Sequence, residues 1–214
     1  GYTRANVKVC ATHAGITVGE DGASHQTFED LALMRTIPGM VVVNPCDGVS
    51  TTELMKQVVE HDGPCYVRLG RAAVPVFYEE GAEIKLGKVN WLGRGKDLTG
   101  VATGIMVSEA MMAAEELANE GIEVGVIDMH TIKPLDEEIL LEAAQIGPVV
   151  TAEEHSVIGG LGSAVAEVLS CKHPVKMAMV GQKDTFGESG KPDELKAKYG
   201  MTAADIVKAA KSLV

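Results

Sequence analysis

Short apolar runs alternate with amphipathic stretches along almost the whole chain, and this rhythm constrains the fold more than any single motif. Apolar runs of four or five residues suit strands buried on both faces, and parallel strands need helices to connect them. The expected architecture is therefore α/β, with two parallel-sheet sandwich domains. In the first, residues 7–11, 40–43 and 65–69 read as strands. A helix is expected over 27–35, with Leu31 and Met34 on one face and Thr27-x-x-Asp30 as its cap. A second helix is expected to open at Ser50-x-x-Glu53 and to carry Leu54 and Val58, flanked by Met55 and Val59, as its apolar stripe. Asn44-Pro45 stops the second strand, and His61-Asp62-Gly63-Pro64 stops the second helix.

Residues 70–87 have no clean periodicity and mix Pro75, acids and Gly81, which reads as a linker. Beyond it the alternation resumes. Strands are expected at 98–103, 124–129, 149–152 and 175–180. Helices are expected at 106–119, 135–144, 161–169 and 201–213, the last capped by Thr202 with Asp205 at its third position. The division is thus 1–80 and 81–214. A first unit of three strands and two helices buries little surface by itself. It is expected to be completed by another chain or by an upstream segment.

With 46% hydrophobic residues but only 4% aromatics, the core has to be built from aliphatic side chains. A formal net charge of -11 opposes binding to nucleic acid or anionic membranes, both of which need clustered Lys and Arg. No apolar run reaches the ~18 residues of a membrane span, and no signal peptide is recognisable, so a cytoplasmic location is expected. Cys10, Cys46, Cys65 and Cys171 lack metal-ligand spacing and read as reduced, packed thiols.

Chemistry concentrates in residues 11–26, a polar loop that follows the first expected strand. It holds His13, His25, Glu20, Asp21, Gly15, Gly19 and Gly22. Ligands of open α/β sheets bind outside the carboxyl ends of the strands. Imidazole can bond a hydroxyl, shuttle a proton near neutrality or meet a phosphate, and Asp21 can accept from sugar hydroxyls. Each histidine alone reads equally well as a turn residue bonded to backbone. Arg71, just past the third strand, is placed to meet an anion bidentately. Arg68 is expected on the surface, because alternation puts it opposite Val67 and Leu69. Val157-Ile158-Gly159-Gly160-Leu161-Gly162 reads as tight strand-to-helix packing, since no Lys-Ser/Thr follows. Asp128 to Asp136 reads as a connection stiffened by Pro134. Glu153, Glu154 and His155 form a polar strand end of unassigned role.

Together these motifs resemble the transketolase family. Thr12-His13 and Gly19-Glu20-Asp21-Gly22-Ala23-Ser24-His25-Gln26 are similar to its substrate loop. Leu33-Met34-Arg35-x-Ile37-Pro38-Gly39-Met40, Pro45-Cys46-Asp47, and Gly63-Pro64 through Arg71 follow in the family's order. Asp128-x-x-Thr131-Ile132-Lys133-Pro134-Leu135-Asp136, Gly159-Gly160-Leu161-Gly162 and Asp184-x-Phe186-Gly187-Glu188-Ser189-Gly190 are similar to motifs of its C-terminal domain. The resemblance implies an incomplete thiamine-diphosphate-binding, pyrimidine-type domain followed by a Rossmann-like C-terminal domain, as in the C-terminal section of a split transketolase. It also implies transfer of a two-carbon ketol unit between sugar phosphates, in a homodimer or heterotetramer with an N-terminal half that holds thiamine diphosphate and Mg2+. His13 and Arg71 would hold the substrate phosphate, and Asp21 the hydroxyl beside the donor carbonyl. His25 would sit at that carbonyl and its C1 hydroxyl, so that His13 and His25 are the expected catalytic groups.

Ala14-Gly15 and Ala23-Ser24 depart from the Asp-Ser and Pro-Thr common in full-length members. The family's cofactor-activating glutamate and ring-stacking aromatic have no counterpart in this sequence. Three further readings stand beside the first. They are a deoxyxylulose-phosphate synthase, a β-part of a 2-oxo-acid dehydrogenase, and a non-catalytic dimerisation module.

Overall fold

The computed structural model describes residues 1–214. The first half contributes β1 (Lys8–Ala11), α1 (Asp30–Thr36), β2 (Val41–Val43), α2 (Gly48–Glu60) and β3 (Cys65–Arg68). The second contributes β4 (Asn90–Gly93), β5 (Leu98–Ala102), α3 (Met106–Asn119), β6 (Val124–Asp128), β7 (Thr131–Lys133), α4 (Glu137–Ile146) and β8 (Val149–Ser156). It closes with α5 (Leu161–Lys172), β9 (Met177–Gln182), α6 (Pro192–Lys198) and α7 (Ala203–Lys211). Two sheets form, ordered β1-β3-β2-β7 and β4-β6-β5-β8-β9. Within each sheet the pairing is parallel except for one antiparallel edge strand, β7 on β2 and β4 on β6.

Neither edge strand is anticipated from the sequence. Thr131-Ile132-Lys133 is too short to show a period. It lies in the stretch read as a connection, yet it crosses over to complete the first sheet. The stretch 70–87, read as a linker, packs part of its length into the core. Tyr78 and Ile84 are buried in the largest apolar cluster, which also takes in Val43, Leu54, Val67, Leu98, Met106, Val126 and Ile206. The two sheets therefore share one continuous core.

Helix starts shift for identifiable reasons. Asp47, not Ser50, is the cap of α2. The Asp47 carboxylate accepts from Ser50 N at 2.7 Å, while the Ser50 hydroxyl accepts from Asp47 N at 3.0 Å. Asp47 also accepts from the amides of Phe77 and Tyr78, a tertiary demand with no trace in local sequence. Thr27 does not cap α1. The helix begins at Asp30, and the Thr27 carbonyl is taken by Gly15 N and by Arg68. At the C-terminus, Thr202 and Asp205 form the expected capping box.

Two side-chain expectations are corrected. Arg68 is buried, not on the surface, because β3 lies inside a sheet covered on both faces, where alternation no longer separates core from solvent. Of the four cysteines, Cys46 and Cys65 are packed, but Cys10 and Cys171 are exposed.

Candidate active site at the carboxyl ends of the first sheet

The loop after β1 folds back over the carboxyl ends of β1 and β3. Ala14 N donates to Leu69 O at 3.3 Å, and Gly15 N to Thr27 O at 3.1 Å. Between these anchors and His25 runs a 3₁₀ turn, Ile16–Asp21, which buries Ile16, Thr17 and Val18 against the core and leaves Asp21 outside. Gly15 (φ 82°) and Gly19 (φ 82°) supply the left-handed positions this path requires. His13 is itself left-handed at φ 65°, a conformation uncommon for a residue with a Cβ, in the stretch where ligands of such sheets approach.

The four expected site residues are all exposed on or beside this loop. Arg71 and Asp21 meet directly. The guanidinium donates to Asp21 Oδ2 at 3.1 Å and to the Val18 carbonyl, so the strand-end arginine is held against the loop. The two histidines keep to local partners, His13 Nδ1 to Thr12 Oγ1 at 2.9 Å and His25 Nδ1 to Ser24 Oγ at 3.0 Å. Neither ring hydrogen-bonds to Arg71 or to the other. Each retains a free ring nitrogen on an exposed side chain. The polar cavity nearest this face, lined among others by Asn44, Arg68, Gly70 and Glu154, is about 170 Å³. That is smaller than the ~300 Å³ or more of ordinary small-molecule sites. The four exposed residues form an open wall rather than a closed pocket.

Behind the wall lies a buried network. Arg68 Nε donates to Asp30 Oδ2 at 2.8 Å, and its NH2 to Glu154 O at 2.8 Å and Thr27 O at 3.3 Å. Tyr66 adds a hydroxyl bond to Asp30 at 2.7 Å. Burial opposes ionisation of Asp30, but the Arg68 charge and the Tyr66 hydroxyl hold its carboxyl below the ordinary value. His155 accepts from Leu31 N through Nε2 (3.1 Å) and donates from Nδ1 to Ser156 O (2.7 Å), a pattern that requires the neutral ring. Burial accordingly lowers its pKa to about 4. Glu153 caps α5 by accepting from Leu161 N and Gly162 N, yet burial pushes its carboxyl up to about 7. Glu154 accepts from Thr17 N at 2.6 Å, and burial raises its pKa too. The expected tight packing of the glycine turn follows from the same arrangement, since a Cβ on Gly160 would overlap the Glu153 carboxylate. None of these cross-sheet roles is signalled locally. An unusually polar strand end, Glu153-Glu154-His155, is the only hint.

A model of the transketolase pyrimidine-binding domain matches residues 1–76, and one of the transketolase C-terminal domain matches residues 87–206. The chain belongs to the transketolase family. It is 49% identical, over 98% of its length, to a 6-deoxy-6-sulfo-D-fructose transketolase subunit from Clostridium sp. (strain MSTE9), of which it covers 65%. It is 49% identical over 97% of its length to a putative transketolase C-terminal section from Methanocaldococcus jannaschii, of which it covers 66%. The chain thus spans just under two-thirds of these curated relatives. Among solved structures, an inactive β4 tetramer of a split-gene transketolase superposes at TM-score 0.93 with 50% identity, covering 99% of this chain and 68% of that one.

Proposed function

We propose that this chain is the C-terminal part of a two-polypeptide transketolase and supplies the substrate-facing wall of its active site. Residues 1–80 would be the pyrimidine-type portion and 81–214 the C-terminal domain. The observation that carries the reading is the Arg71–Asp21 contact, which joins the strand-end guanidinium to the loop that bears His13 and His25. This donor set fits the sugar end of a ketol transfer, where imidazole, carboxylate and guanidinium meet carbonyl, hydroxyl and phosphate groups. In this reading Arg71 and His13 hold the anionic tail, Asp21 accepts from the hydroxyl next to the donor carbonyl, and His25 moves a proton at that carbonyl and its C1 hydroxyl. Thiamine diphosphate, bound with Mg2+ by the N-terminal half, supplies the electron sink for carbon–carbon cleavage.

The relatives' names support an anionic sugar as substrate. One acts on a sulfonated fructose and another, from Phocaeicola vulgatus, on apulose 4-phosphate. We assign sugar phosphates to this chain, in a cytoplasmic pentose-phosphate type of metabolism, with no role for nucleic acid or membrane. No helix is long and apolar enough to cross a membrane. The inactivity of the similar β4 tetramer supports a need for the partner half, within a dimer or heterotetramer. The synthase, dehydrogenase and dimerisation-module readings are not favoured, because relatives of which this chain covers 65–69% are named as transketolase subunits or a transketolase section.

Reconstitution tests the proposal. The chain mixed with the matching N-terminal half, thiamine diphosphate and Mg2+ should transfer ketol units between sugar phosphates, and the chain alone should not. Turnover without the partner would refute it.

A further inference from the structure

We infer that Glu154 is a positioning residue that carries the substrate loop from beneath, so that the second sheet sets the geometry of the first sheet's active-site wall. The inference rests on the loop being that wall. Glu154 lies on β8, and its Oε1 accepts from Thr17 N at 2.6 Å, 137 residues away in sequence. Gly15, two residues after His13, is pressed onto the same carboxylate, and a methyl there would overlap its carbon and both oxygens. Glu154 therefore touches the loop at two points between His13 and Asp21. Its backbone is tied to the same region, because the Glu154 carbonyl accepts from Arg68 at 2.8 Å and Arg68 also holds the Thr27 carbonyl that anchors Gly15 N.

The chemistry favours a carboxylate here. Thr17 N–H is buried in the 3₁₀ turn, and an amide left without a partner at that depth would pull the turn toward water. A bond to a charged acceptor is stronger and better directed than one to a neutral oxygen. Arg68 and Lys196 provide the compensating positive charge. A second clamp from the same half closes on the opposite side, where Gln26 Nε2 bonds Glu188 O at 3.0 Å and Ser189 bonds the Glu20 carbonyl. With Glu20 and Gln26 fixed there, and Val18 and Asp21 held by Arg71, the portion left for Glu154 to hold is the stretch from Gly15 to Thr17.

The test uses the complex of this chain with its N-terminal half and compares wild type, Glu154→Met and Glu154→Gln. Methionine keeps the volume and removes the acceptor, leaving the buried Thr17 N–H unpaired. Glutamine restores a carbonyl acceptor. Glu154→Met is expected to raise KM for sugar phosphates about tenfold, the scale of one lost charge-assisted bond. Its kcat should stay within about twofold, and Glu154→Gln should recover most of the loss. Hydrogen exchange of the 15–19 amides should quicken in Glu154→Met alone, with protection of β5 and β6 unchanged.

A fall in kcat at constant KM would mean only fewer folded molecules and would overturn the inference, as would unchanged exchange at 15–19. Should Glu154→Met fail to fold, Glu154→Asp, which keeps the charge but draws the carboxylate back from Thr17 N by one methylene, must show the same pair of effects. Arg71→Ala tests the underlying reading separately. An unchanged KM in that variant removes the substrate wall, while the exchange result still decides whether Glu154 anchors the loop.

Discussion

Single residues decide most of what this face can do, and the exposed and buried groups answer to different physics. Arg71 is legible in the sequence because it lies past the end of β3, where a guanidinium has no core to compete for it. Arg71→Ala in the reconstituted enzyme should raise KM for phosphorylated sugars by about tenfold to a hundredfold while changing unphosphorylated donors little, as steady-state kinetics on both substrate types would show. His25→Ala should instead depress kcat by about a hundredfold or more with a smaller change in KM, the mark of a group needed during proton movement. His155 lies deeper and bears on stability. Its neutral ring is built into the start of α1, with a pKa near 4 against 6.5 in the unfolded chain. Between those values the unfolded chain takes up a proton that the folded one refuses, so stability is present above pH 6.5 and is lost as pH falls through this window. Going from pH 7 to pH 5 should cost about 2 kcal/mol from this group. Urea unfolding at the two pH values should show a smaller loss in His155→Gln. Arg68 shows why such residues hide from sequence reading. The alternation that marks it as a surface charge is accurate as a pattern, but both faces of β3 are covered.

At the scale of elements, periodicity located every α-helix except the short α6, and their first turns less well. The boundaries of α3 come out as expected, because Met106 to Asn119 has a clear apolar face and a following Gly121. The start of α2 slips by three residues because its cap, Asp47, serves two masters. Its carboxylate closes the helix and also satisfies Phe77 N and Tyr78 N from the connection between the halves. Removing it leaves more than a bare helix end. Asp47→Ala should destabilise the protein by about 3 kcal/mol, against about 1 kcal/mol for Thr202→Ala, whose box serves only α7. Denaturant unfolding of the two variants side by side measures the difference, and equal losses would mean that the Phe77 and Tyr78 amides find other partners. The short edge strand β7 makes the complementary point. Three residues hold too little pattern to announce a strand, and only the exposed edge of β2 makes one of them.

For the whole molecule, β7 crosses from the second half to complete the first sheet, and one apolar cluster takes in residues of both halves. Thermal unfolding should therefore proceed in one transition, with calorimetric and van't Hoff enthalpies equal, despite the two-domain pattern of the sequence. Two resolved transitions would show that the interface is weaker than its burial implies. The sequence by itself determined the α/β class, the alternation of strands and helices, the glycine-shaped loop and the identity of its exposed polar groups, and the family. Each of these is written in residues close together along the chain, where period and local conformation act. Only the tertiary structure decided that Arg68 is buried, that β7 joins the first sheet, that Tyr78 and Ile84 of the 70–87 connection are buried in the core, and that Glu154 lies beneath Gly15 and Thr17. Those facts depend on which surfaces meet across 40 to 140 residues, and no local pattern records what covers a face or what a buried carboxylate will find there.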